Sequence, residues 1–172
     1  AVTTTGIAFT ISSIGLAFCG IRFFKAFQNM GGLRSGHRIG ILLSILYLST
    51  SFQHGILAIG GLFLSKIPEA LFGLMVTSHL VLTFTAALGV YLTLYVLTPR
   101  VSPWPVVAAT LVLGLFVVGL TIITHPLPVV TAAKSIDWNF SYWTNILLYY
   151  LLLIEIGVPF GIFAKNFFFS NA

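Results

Sequence analysis

Three ionisable side chains, His54, His79 and Glu155, stand deep inside apolar stretches of this chain. A charge near the middle of a bilayer costs about 2.5–3.5 kcal/mol on insertion scales, so such residues turn inward, find partners and mark ion, proton or cofactor sites. Two imidazoles on adjacent antiparallel helices are what bis-histidine ligation of a b-type haem requires, and Lys66 and Lys134 would then meet its propionates. The same imidazoles with the Glu155 carboxylate make a donor set for a transition metal such as zinc, copper or iron. Glu155 alone would serve as the proton-binding group of a carrier or channel.

The neighbours of each imidazole favour an inward orientation. Counting by threes and fours from His54 gives Tyr47, Thr50, Ser51, Ala58 and Gly61, and from His79 it gives Met75, Thr83, Ala86 and Ala87. Small residues let helices approach, and hydroxyls bond across the seam. Glu155 is flanked by Leu151, Leu152, Val158 and Pro159, so its own helix offers no partner, and burial then favours the neutral carboxyl. Pro159 lacks the N–H that would bond the Glu155 carbonyl, which predicts a bend there. Such a break is tolerated at membrane depth where it is buried in protein or lines a cavity. At 1.5 Å per residue, His54 comes roughly 3 Å and His79 roughly 7 Å to the outer side of mid-span, with Glu155 near the middle. The three share a depth, and His125 at the end of the fourth apolar stretch would cap them from above.

The elements that carry these residues are read from hydropathy. A spanning helix needs about 20 mainly apolar residues, and the chain divides into five such pieces, residues 4–24, 39–64, 71–97, 105–124 and 142–168. The pieces are too long and too evenly apolar for strands, and in lipid only helices or closed barrels satisfy their own backbone. The breaks carry turn chemistry: a Gly-rich basic segment from Asn29 to Arg38, Ser65 to Glu69, Thr98 to Trp104 with two prolines, and a polar run from His125 through Asp137. No basic residue precedes the first apolar run and no cleavage motif follows it, so it reads as a span rather than a secretory signal.

Composition agrees. Of 172 residues, 58% are hydrophobic and 6% charged, and mean hydropathy is +1.07. A water-soluble domain carries about 25% charged residues, so this chain has too few to cover a water-facing surface. The formal charge of +5 comes from basic residues in loops and at span ends, which sets orientation rather than nucleic-acid binding. Arg22, Lys25, Arg34, Arg38, Arg100 and Lys165 fall on one side, Lys66 and Lys134 on the other, which predicts the N-terminus outside and the C-terminus inside. Trp104, Trp138 and Trp143 fall at span ends, where an amphipathic ring suits the interface. His37 reads as a polar residue of the basic loop. The lone Cys19 excludes an internal disulfide and a cysteine-rich metal site. Hydrolase and nucleotide-binding motifs are absent; Ser78 adjoins His79 in sequence without sharing a helix face, and Ser51, on the His54 stripe, belongs to no hydrolase motif.

The expectation is an all-α integral membrane protein, one transmembrane domain over residues 1–172 with five helices. It would sit in a bacterial or archaeal cell membrane or an organellar membrane. As function we expect a small multi-pass subunit of a membrane-bound redox or energy-conserving complex, binding haem b or a metal through His54 and His79. The alternatives are a proton-linked carrier or channel subunit using Glu155 and a purely structural subunit. Its partners would be the bilayer and other membrane subunits or a second copy, with no nucleic acid.

Overall fold

Among the described residues, long apolar segments punctuated by proline and glycine give five helices: α1 (Thr4–Gln28), α2 (Arg34–Phe63), α3 (Pro68–Leu97), α4 (Trp104–Thr124) and α5 (Tyr142–Phe169). The structure, a computed structural model, describes residues 2–28 and 34–169, without the side chains of 34–35, 156, 158–159 and 162–169. Among the described residues, four helices, α1 to α4, are long and apolar enough to cross a membrane. Helix α5 continues through position 159; the side chain of Pro159 and the bend expected of it lie outside the described residues, as does the segment 29–33. Helix α2 begins at Arg34, five residues before the expected span, so His37 and Arg38 are helical rather than loop residues. A helix need not stop where the hydrocarbon does. Arg38 donates to the Tyr91 hydroxyl at 3.0 Å, and its guanidinium lies 5.4 Å from the centre of the Tyr95 ring. His37 Nδ1 is 3.1 Å from the Phe27 carbonyl.

The helix ends follow local chemistry. Helix α3 opens on Pro68 and α4 has Pro105 in its first turn, where a missing N–H is no loss. Helix α4 ends on His125, which takes a left-handed conformation with φ 42° and donates its N–H to the Thr121 carbonyl. Its ring rests on Phe72, with centroids 4.2 Å apart.

The interior mixes apolar clusters with polar side chains, while large apolar side chains face outward. Buried positions include Ser44, Ser51, Gln53, Thr83, Thr121 and Glu155, while Ile11, Ile14, Phe18, Phe116, Ile123 and Leu153 point outward. Lipid tails are as apolar as leucine, so helices associate through close packing and hydrogen bonds instead of apolar burial. Buried hydroxyls bond back to the preceding turn: Thr83 to the His79 carbonyl at 2.8 Å and Thr121 to the Val117 carbonyl at 2.9 Å. Helix α3 is central, packed on α2, α4 and α5, and α1 packs chiefly on α2.

The α1–α2 seam is made of small residues. Ser13 and Ser51 each donate to the other's carbonyl at 2.8 Å. At one end Gly6 meets Gly61 so closely that a Cβ on Gly61 would stand 2.6 Å from the Gly6 Cα. Thr3 seals that end, its N–H and hydroxyl bonding the Gly61 carbonyl at 3.2 and 2.8 Å.

A two-stranded antiparallel hairpin, β1 (Val129–Val130) and β2 (Ile136–Asp137), stands between α4 and α5, with Val129 opposite Asp137. It is fastened to the start of α1: Thr4 N–H bonds the Lys134 carbonyl at 2.9 Å, and Ile136 N–H bonds the Thr5 hydroxyl at 2.9 Å. Nothing in the hydropathy pattern foretold this hairpin, which replaces part of the polar run expected before the fifth span.

Candidate functional site

Helices α2 and α5 both pack on α3 but hardly on each other, and the gap between them becomes a cavity. It holds about 200 Å³. Helix α2 contributes Gln53, His54 and Leu57, α3 contributes Met75, Ser78, His79 and Leu82, and α5 contributes Leu148 and Leu152. Phe9 of α1 closes one side, and Trp138 and Phe140, carried in by the chain after β2, close the hairpin end. Trp104 and Trp143 do stand exposed at helix starts, but Trp138 is a wall of this cavity.

His54 and His79 thus line one space. Each ring is held through Nδ1. Ser12 Oγ lies 2.7 Å from His54 Nδ1, and Thr121 Oγ1 lies 3.3 Å from His79 Nδ1. Thr121 has one proton, which its shorter 2.9 Å contact directs to the Val117 carbonyl. His79 Nδ1–H is then the donor to Thr121, and His79 Nε2 is left with a free lone pair. Aromatic rings pack on both imidazoles, Phe9 5.3 Å from His54 and Phe140 5.3 Å from His79, between centroids.

Gln53 is the residue that sequence reasoning passed over. It is 4% exposed, and its Oε1 has no hydrogen-bond partner. Buried side-chain polar atoms are paired in the large majority of cases, so an orphan beside a cavity marks a place for a ligand or water. The available signal was an amide in the middle of an apolar span, next to His54 and eclipsed by it.

Glu155 is not among the lining residues of the cavity. It is buried on α5 and bridges to α2, where Thr50 Oγ1 lies 2.8 Å from Glu155 Oε1 and 3.1 Å from the Leu46 carbonyl. Thr50 is four residues from His54 on the same helix, so the carboxyl meets α2 about 6 Å along its axis from the position of His54. No three His, Cys, Asp or Glu side chains gather as a metal site among the described residues. His125 is exposed against Phe72 and does not line the cavity.

Comparisons with protein families, curated proteins and solved structures find no match. The chemistry is therefore carried by the geometry alone. A second, more open cavity of about 550 Å³ adjoins the first and shares Trp138, Phe140, Leu148 and Leu152 with it. Asp137, Asn139 and Asn145 give that outer cavity a polar rim.

Proposed function

We propose that this chain is a proton-exchanging membrane subunit in which Glu155 binds and releases the proton and His54 and His79 continue the polar line toward the hairpin end. The observation that carries this reading is the Thr50 hydroxyl, bonded to Glu155 from one turn below His54. That hydroxyl donates to the carboxyl and fixes it beside the turn of α2 that carries His54, so the group that binds the proton is held in a defined place for exchange with the polar line above it. Intramembrane carboxylates and histidines with defined partners are the usual elements of proton relays. Five helices without an inverted repeat make a second copy or further subunits part of the reading, and an energy-conserving complex is the natural setting. In vesicles with a trapped pH dye and an imposed potassium diffusion potential, the protein should accelerate internal pH change at least tenfold over empty vesicles. A rate equal to empty vesicles overturns the proposal.

A second reading, haem b between His54 and His79, is favoured by the pairing of both Nδ1 atoms with hydroxyls, since ligating imidazoles commonly donate their other nitrogen to a polar partner. Against it stands the volume of about 200 Å³, below the roughly 300–1,000 Å³ of sites that take drug-sized ligands. A reduced b-type band in the visible spectrum of the same preparation would reverse that order of preference. A metal on His54, His79 and Glu155 would require Glu155 to leave Thr50.

The orientation proposed with this function puts the N-terminus and the hairpin outside and the Arg34–Arg38 end inside, on the six-to-two division of basic residues. In a Cys19→Ala background, a cysteine at Ser135 should react with an impermeant maleimide in intact cells and one at Gly31 should not. The opposite pattern inverts the topology.

A further inference from the structure

We propose that Arg38, Tyr91 and Trp104 form a binding site for an anionic phospholipid, with its phosphate on the Arg38–Tyr91 pair and an acyl chain in the groove between α3, α4 and α5. Neither Glu155 nor the cavity of His54 and His79 takes part. The chain has eight basic residues and three acidic ones. Glu69 lies in the first turn of α3, Asp137 ends β2, and Glu155 is bonded to Thr50 inside the bundle. Arg22, Lys25, Arg38 and Arg100 belong to the end opposite Glu69 and Asp137, where α1 and α3 finish and α2 and α4 begin. No acidic side chain of the sequence accompanies them there, so their counter-charge comes from outside the chain.

Arg38 is the cation that its neighbours hold in place. Its Nη2 donates to the Tyr91 hydroxyl at 3.0 Å, and its guanidinium stands 5.4 Å from the centre of the Tyr95 ring. Tyr91 stacks on Tyr95 with centroids 6.0 Å apart, and it meets the Trp104 ring at 5.6 Å. Arg22, by contrast, only covers Phe18 of its own helix. Side chains of α2, α3 and α4 thus order the Arg38 fork before anything binds, which lowers the cost of binding. The fork has five N–H groups and Tyr91 takes one. The Tyr91 oxygen accepts that bond and keeps its own proton, so two donors 3.0 Å apart face the oxygens of one phosphate.

An open apolar groove of about 270 Å³ lies beside this cluster, lined by Val90, Leu94, Val106, Leu153, Ile154 and Gly157. Tyr91 and Leu94 pack on the same buried cluster as Val90, and Val106 follows Trp104 by two residues. An anion-binding pair at the helix ends with an apolar groove next to it suits an amphiphile. A soluble anion leaves the groove empty, and a zwitterionic headgroup brings a further cation to an end already rich in them. Basic pockets between spanning helices take acidic headgroups in this way.

The test uses the full chain in vesicles with Trp138→Phe and Trp143→Phe, so that Trp104 is the sole tryptophan reporter. Salt is held at about 1 M, where the Debye length is about 3 Å and diffuse attraction is screened. Quenching of Trp104 by brominated phosphatidylglycerol diluted in phosphatidylcholine should show an affinity about tenfold above that of brominated phosphatidylcholine. Trp143, exposed at the other end of the bundle and read alone with Trp104→Phe and Trp138→Phe, should show no preference. Arg38→Gln should abolish the preference at Trp104. Arg38→Lys, which keeps the charge and loses the fork, should retain only part of it. If Arg38→Gln melts below the parent in phosphatidylcholine, Arg38→Lys decides alone, and an undiminished preference in it overturns the proposal. Added inorganic phosphate should not displace the lipid, and displacement would show that a free anion suffices and overturn the lipid assignment. Equal quenching by the two lipids at Trp104, the same preference at Trp143, or a preference that survives Arg38→Gln overturns the site itself.

Discussion

Gly61→Val should detach α1 from the hairpin end of the bundle and lower the unfolding temperature. A Cβ at Gly61 would lie 2.6 Å from the Gly6 Cα and 2.8 Å from its nitrogen, and one at Gly6 would lie 2.7 Å from the Gly61 carbonyl carbon. These are backbone atoms with no rotamer to change, so relief requires the two helices to move apart. Overpacking costs about 1–3 kcal/mol in well-packed interiors. Separation also stretches both bonds from Thr3 to the Gly61 carbonyl, each worth about 1 kcal/mol. Gly61→Ala should show the lower part of this loss and Gly61→Val the whole. Gly15→Ala and Gly119→Ala, where a Cβ meets nothing within 4 Å, should leave stability unchanged or slightly raised. Thermal unfolding in one detergent decides it, and equal melting of Gly61→Ala and Gly15→Ala would refute the close-crossing account.

The second large effect is on activity and leaves the fold in place. Glu155→Gln should unfold like the parent, because a neutral amide of the same size still reaches the Thr50 hydroxyl, but proton exchange in vesicles should fall to the rate of empty ones. Glu155→Asp withdraws the carboxyl by one methylene from a 2.8 Å contact; exchange should drop about tenfold or more without vanishing, in line with the 10²–10⁴-fold worth of a positioned proton-transfer group. Thr50→Val keeps the shape and removes the hydroxyl, and should resemble the Asp variant. A Glu155→Gln protein that folds and exchanges at the parent rate would reduce Glu155 to a brace between α2 and α5.

The helices were legible because their signals are long. About twenty apolar residues outweigh any local ambiguity, and Pro68, Pro105 and Pro126 mark boundaries that the structure keeps to within a few residues. The start of α2 was misread because Gly31 and Gly32 drew the basic residues after them into a loop. The hairpin was illegible for the opposite reason. Two-residue strands are too short to show alternation, and their partners, Thr4 and Thr5, lie about 130 positions away. In the candidate site, His54, His79 and Glu155 were visible as titratable groups out of place. Thr50 was seen only as part of the His54 stripe, and its pairing with a residue 105 positions away depends on how α2 and α5 lean on α3. Gln53, Trp138 and Phe140 carry no charge, and only the folded arrangement gives them a common space.

The clasp between Thr4, Thr5 and the hairpin has a consequence for biosynthesis. The chain leaves the ribosome N-terminus first, so α1 can meet α2 across Ser13 and Ser51 as soon as α2 has emerged. At the N-terminal end the bonds from Thr3 to Gly61 can form with α2, but those of Thr4 and Thr5 wait until residues 134–136 have been made and, in the proposed orientation, carried across the bilayer. Trp138 and Phe140 arrive with them. The cavity around His54 and His79 therefore lacks both its hairpin end and its α5 wall, Leu148 and Leu152, through most of synthesis, and takes shape only as the last part of the chain docks.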